Sequence, residues 1–109
     1  MIDQETYSKL LTETWEHVTE LGTKKGGEYA GDHDRLANFR RNGLDLPMEV
    51  IWRVYAGKHW DAIGQYVRDL VTGTTRPRME TLAGRCDDLI VYLILFKAML
   101  IDREHGEEL

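Results

Sequence analysis

The sequence predicts an all-α domain, a small bundle of three long helices and one short helix that assembles as a homo-oligomer. Three observations carry this. Between Leu89 and Ile101 only Lys97 is charged, so a helix there is apolar nearly all round and has to be covered on more than one side. Two further stretches, within 7–21 and 48–70, repeat apolar residues at helical spacing. Asp3, Gly22, Pro47 and Gly73 stand where such helices start and stop.

The first helix runs from an Asp3 cap to about Leu21 and ends at Gly22. Tyr7, Leu10, Leu11, Thr14, Trp15, Val18 and Leu21 form its expected buried stripe. Glu13, Glu16 and Glu20 lie about 180° from that stripe, as a solvated acidic face or as carboxylates offered to a divalent cation at a subunit contact. The segment Gly22–Gly31, GTKKGGEYAG, reads as a connector. It also suits an oxyanion, with backbone N–H groups, Lys24 or Lys25 as charge, and Tyr29 as a stacking face. It lacks the spacing of a Walker loop.

A short helix follows from about Asp34, capped by Asp32 or His33 and closed by Asn42-Gly43. Leu36, Ala37 and Phe39 or Arg40 pack inward, while Arg35, Asn38 and Arg41 face a cleft. The second long helix begins with Pro47 at its first position and stops before Gly73, with Met48, Ile51, Val54, Tyr55, Ile63, Val67 and Leu70 at helical period. Gly57 and Gly64 share a face of it. Each costs about 1 kcal/mol relative to Ala, which points to a helix or ligand approaching the backbone. Lys58 either pairs with Asp61 or contacts a ligand phosphate beside Trp60. The connector TGTTRPR, 72–78, is polar with basic ends.

On the last helix, within Glu80–His105, Leu82, Cys86, Leu89, Leu93, Phe96 and Leu100 form one seam. Asp88, Tyr92, Leu95 and Met99 form another, offset by roughly a third of a turn. A chain this small has few helices to cover both, so the seam with Tyr92, Leu95 and Met99 is expected to meet another subunit. Asp88 sits at the wet end of the helix, accepts from an arginine, or contacts a ligand or metal. The run is too short to cross a membrane, which takes about 18–20 apolar residues, and Asp87, Asp88, Asp102 and Arg103 bracket it.

The 109 residues allow one domain with a modest core. A single cysteine, Cys86, excludes an intrachain disulfide and a multi-cysteine metal site, and fits a reducing, cytoplasmic setting. The N-terminus has no signal-peptide pattern. Residues 1–21 set Lys9 against Asp3, Glu5, Glu13, Glu16 and Glu20, whereas residues 22–85 are net basic. With −5 overall, the chain is unsuited to long nucleic acid, but its middle can hold a small anion.

KKGGEYAGDHDRLANFRR (24–41), a helix carrying Lys58, and ETLAGRCDDLIVYLILF (80–96) together resemble a phage-encoded family, the nucleotide modification associated domain. The resemblance covers roughly residues 20 to 100. The family is more distantly similar to MazG-like all-α NTP pyrophosphatases, whose paired E-x-x-E and E-x-x-D motifs hold Mg²⁺. The resemblance implies a nucleotide-derived ligand. Glu13-x-x-Glu16 matches the first pair, but Arg85 stands where the second needs a carboxylate, which removes a Mg²⁺ ligand and adds repulsion.

The expected function is therefore a binding protein that holds, and in a phage setting sequesters, a nucleotide-like molecule without cleaving it. Its expected ligand residues are Lys24, Lys25, Tyr29, Arg35, Asn38, Arg41, Lys58, Arg85 and Asp88. The alternatives are a Mg²⁺-dependent pyrophosphatase using Glu13, Glu16, Asp87 and Asp88, and a helical adaptor for a protein partner.

Overall fold

The structure is a computed structural model that describes residues 1–25 and 34–105. Its long helices are α1 (Gln4–Glu20), α3 (Met48–Thr72) and α4 (Leu82–His105), and the short helix α2 spans Ala37–Arg40. No strand occurs among the described residues. Among the described residues no helix is long and apolar enough to cross a membrane.

Asp3 caps α1, its carboxylate accepting from the Thr6 N–H at 2.8 Å. The helix does not stop at Gly22. It passes into a π-helical turn, Leu21–Lys25, in which the Thr23 hydroxyl donates to the Thr19 carbonyl at 2.8 Å. Asp34 starts the next segment, its carboxylate accepting from the Leu36 N–H at 3.1 Å and from Arg40 Nε at 2.7 Å. Asp32 and His33, the expected caps, lie outside the described residues. Asn42 closes α2: its amide donates to the carbonyls of Phe39 and Leu46, and its oxygen accepts from the Leu44 N–H. Pro47 is the extended residue before α3 rather than its first helical one. Gly73 ends α3 at φ +71°, a left-handed conformation that glycine adopts without Cβ strain. Thr81 caps α4, its hydroxyl accepting from the Gly84 N–H at 3.0 Å.

The core is small. Leu36, Phe39, Met48 and Met99 are buried together, with Ile51, Trp52, Tyr92, Leu95 and Ala98 packed around them. Tyr92, Leu95 and Met99, expected to meet another subunit, thus face α2 and α3 of their own chain, and Met99 is fully buried. The physical reason is α2: placing Leu36 and Phe39 over the seam supplies the cover that three long helices lack. Trp52 ties α3 to α4 by stacking on Phe96 at 4.7 Å and donating its indole N–H to the Tyr92 carbonyl at 2.6 Å. At the far end, Arg40 bridges Asp34 and Asp102, and Arg103 forms a two-point ion pair with Glu49. That guanidinium holds the Glu49 carboxyl below its ordinary range.

The other α4 seam is the open one: Leu93 and Leu100 remain about half exposed, and Cys86 is exposed. The α1 stripe is also only partly covered. Val18 is buried, but Tyr7, Leu10, Leu11 and Trp15 are exposed; α1 meets α4 in a contact that includes His17, whose Nδ1 donates to Asp87 Oδ2 at 2.6 Å.

Candidate functional site

Asp69, near the C-terminal end of α3, organises the connector that follows. It is buried at 4% exposure and accepts from Gln65 Nε2, from Arg76 Nε and Nη2 at 2.7 and 2.9 Å, and from Arg78 Nη2 at 3.0 Å. Its carbonyl accepts from the Thr74 N–H just past the helix. The Arg76 hydrogen bonds hold the Asp69 carboxyl below the ordinary carboxylate range, so it stays charged and keeps both arginines in place. The Arg78 guanidinium also lies over the Tyr66 ring, 5.1 Å from its centre. A short polar loop is thereby turned into a fixed wall.

The opposite wall is the first turn of α4. Arg85 reaches back to Glu80 Oε2 at 3.2 Å and to His59 Nδ1 at 3.2 Å. Between the walls runs an open groove of about 510 Å³, lined by Arg76, Arg78 and Arg85 together with Ala62, Gln65, Met79, Glu80 and Leu82. That volume is within the range of small-molecule sites, about 300–1,000 Å³. Three guanidinium groups against Asp69 and Glu80 leave the groove positive. Each guanidinium has a planar fork of donors suited to a carboxylate or phosphate.

Behind Arg85, His59 is buried and packs its ring on Tyr92, centre to centre 5.4 Å. An arginine can only donate, so His59 Nδ1 is the acceptor and its proton is on Nε2. Asp88 Oδ2 lies 3.8 Å from the same Nδ1. Burial lowers the His59 pKa below its ordinary 6.5, the Asp88 charge opposes that shift, and Arg85 adds to it. The unfolded chain therefore binds a proton near pH 6.5 that the folded chain refuses. The His59 contribution to stability is complete above the unfolded value and is lost as pH falls toward the lowered, folded one. Urea unfolding measured between pH 7.5 and 5 is expected to show falling stability, with a smaller slope in His59→Gln.

Of the residues expected to hold a ligand, Arg85 and Asp88 come together, through His59. Lys58, on the next position of α3, instead sets its ammonium 5.9 Å from the Tyr55 ring centre. Lys24 pairs with Glu20 at 3.1 Å on the π turn. Arg35, Asn38 and Arg41 are exposed around α2, which reaches α4 through Phe39 at Tyr92, two helical turns beyond Arg85. Lys25 ends the π turn, and Tyr29 lies outside the described residues. Residues 26–33 of the expected pocket lie outside the described residues, and the π turn that carries Lys24 and Lys25 meets α4. The arginine-lined groove is formed with the 73–81 connector.

Among the described residues of one protomer, the four expected metal ligands form no common group. Glu13 pairs with Lys9, Asp87 with His17, and Glu16 is exposed. Among the described residues, one group of three metal-binding side chains does gather: His59, Glu80 and Asp88, with ligand atoms within 4.8 Å of one another. Arg85 contacts two of these three and acts as their cation, so a divalent ion would have to displace it. The nitrogen donor suits zinc or manganese better than Mg²⁺. Sequence reasoning missed His59, Asp69, Arg76 and Arg78 as site residues. The available signal was an acid in the last turns of a glycine-capped helix with arginines seven and nine positions later.

Comparison with protein-family models, curated proteins and solved structures gave no match in any of the three. Fold and groove define the class: a small all-helical protein with an arginine-lined groove between α3 and α4.

Proposed function

We propose that the protein binds a phosphate-bearing, nucleotide-derived small molecule in the α3–α4 groove and holds it without cleaving it. The observation that carries this is the convergence of Arg76, Arg78 and Arg85 on one groove of about 510 Å³. The buried Asp69 fixes two of these guanidiniums before any ligand arrives, which reduces the ordering cost of binding. The phage setting, the bacterial cytoplasm and sequestration of a nucleotide signal rest on the family resemblance alone. Self-association belongs to the same reading and rests on the apolar surface left open on α1, α3 and α4.

Thermal shift across a panel of mononucleotides and cyclic nucleotides tests the proposal. At least one member is expected to stabilise the protein and to be recovered intact after heat denaturation. No stabilisation by any member removes the reading and favours a protein adaptor. A second reading, metal-dependent hydrolysis, is favoured by the His59, Glu80 and Asp88 group beside the groove. It requires pyrophosphate release that depends on a divalent ion and is lost in Asp88→Asn.

A further inference from the structure

Two carboxylates hold the arginines of the groove, and they are themselves held very differently. Asp69 is buried and accepts four side-chain hydrogen bonds, from Gln65, Arg76 and Arg78. An incoming anion cannot take its place, because all four would be lost at once.

Glu80 is the reverse case. It stands on the connector just before α4, and its side chain is 57% exposed. Its tie is the ion pair from Arg85 Nη1 to its Oε2 at 3.2 Å. A carboxylate oxygen of Asp88 lies within 4.8 Å and repels it. Among the described residues that line the groove, Glu80 is the one acid. It therefore engages, as part of the chain, a guanidinium that an anionic ligand needs. Arg85 does not depend on it for position. The same Nη1 donates to His59 Nδ1, which keeps the arginine in place when the carboxylate leaves.

We infer that Glu80 is a resident anion which the ligand displaces from Arg85, and that this exchange makes the groove select a terminal phosphate. The inference rests on the groove reading above and names the group its ligand must present. Being tethered, Glu80 competes at the high effective concentration of a neighbouring group. A free carboxylate or a phosphodiester brings the same single charge and also loses translational freedom on binding, so exchange gains it nothing. A phosphate monoester brings close to two charges and three acceptor oxygens, which suit the fork of Arg85 beside Arg76 and Arg78.

Calorimetry on the full chain with adenosine 5′-monophosphate and with its 3′,5′-cyclic form, a monoanionic diester, tests the exchange. The unmodified chain is expected to bind the 5′-monophosphate more tightly than the cyclic form. Glu80→Gln keeps the size of an exposed side chain and removes its charge. It is expected to bind both nucleotides about 3- to 10-fold more tightly than the unmodified chain. Glu5→Gln makes the same change in net charge at an exposed position of α1 and is expected to alter neither affinity. A groove residue that simply contacted the ligand would show the opposite sign, losing affinity when changed.

Binding of the 5′-monophosphate that is no tighter in Glu80→Gln, or an equal gain in Glu5→Gln, overturns the exchange and leaves the groove reading standing. Equal affinity of the unmodified chain for the two nucleotides overturns the selection of a terminal phosphate. Binding of neither nucleotide by either the unmodified chain or Glu80→Gln overturns the whole inference, whereas the groove reading falls only when the full nucleotide panel fails.

Discussion

Phe39→Ala is expected to cost about 3–5 kcal/mol, a large part of the 5–15 kcal/mol that holds a typical domain together. Phe39 is 3% exposed and sets its ring edge against both Tyr55 and Tyr92, each 6.4 Å away between centres. It is also the residue by which the four-residue α2 reaches α3 and α4. Truncation leaves a cavity that this small cluster cannot close, because its neighbours Leu36, Met48 and Met99 are already buried. Thermal unfolding at one fixed protein concentration checks it, since association makes Tm concentration-dependent. A fall in Tm of more than about 12 °C is expected. Ile2→Ala, at an exposed position, is expected to stay within about 0.5 kcal/mol. A comparable Tm for Phe39→Ala and the parent chain would show that α2 is not a structural part of the core.

The periodicity of apolar residues and the capping residues located the long helices, because both are local properties: Asp3 caps its own helix and Gly73 ends its own. Which seam of α4 turns inward was not legible. Both seams are apolar, and the choice depends on where a four-residue helix lays Phe39, a tertiary fact. The α1 stripe shows the same limit from the other side, since period predicts a buried face but not what buries it. Arg85 and Asp88 stood out in sequence as a departure from, and a match to, a motif. His59 did not, because twenty-six positions separate it from Arg85 and only the packing of α3 on α4 joins them. Arg76 and Arg78 read as solubilising ends of a loop until Asp69 is seen to hold them.

Arg85→Met should separate the ligand role of this side chain from its effect on the histidine behind it. The substitution removes charge and donors while keeping an unbranched, half-buried chain. One charge-assisted hydrogen bond contributes about 1.5–3 kcal/mol, so calorimetry should show affinity for a phosphate-bearing ligand falling about 10- to 150-fold. Arg85→Lys restores the charge but not the planar fork, and should recover part of it. The His59 pKa should move in the opposite sense to the affinity. Arg85 now helps keep His59 neutral, against the pull of Asp88. Without the guanidinium that pull is opposed mainly by burial, so the pKa should rise toward its ordinary value, and the pH window in which His59 reduces stability should narrow from its acid side. A proton-detected titration of the His59 ring reads this without any ligand. Lost affinity with an unmoved His59 would place Arg85 in the groove but uncouple it from the histidine. An upward shift with unchanged affinity would leave Arg76 and Arg78 as the anion-binding pair and reduce Arg85 to a structural partner of His59 and Glu80.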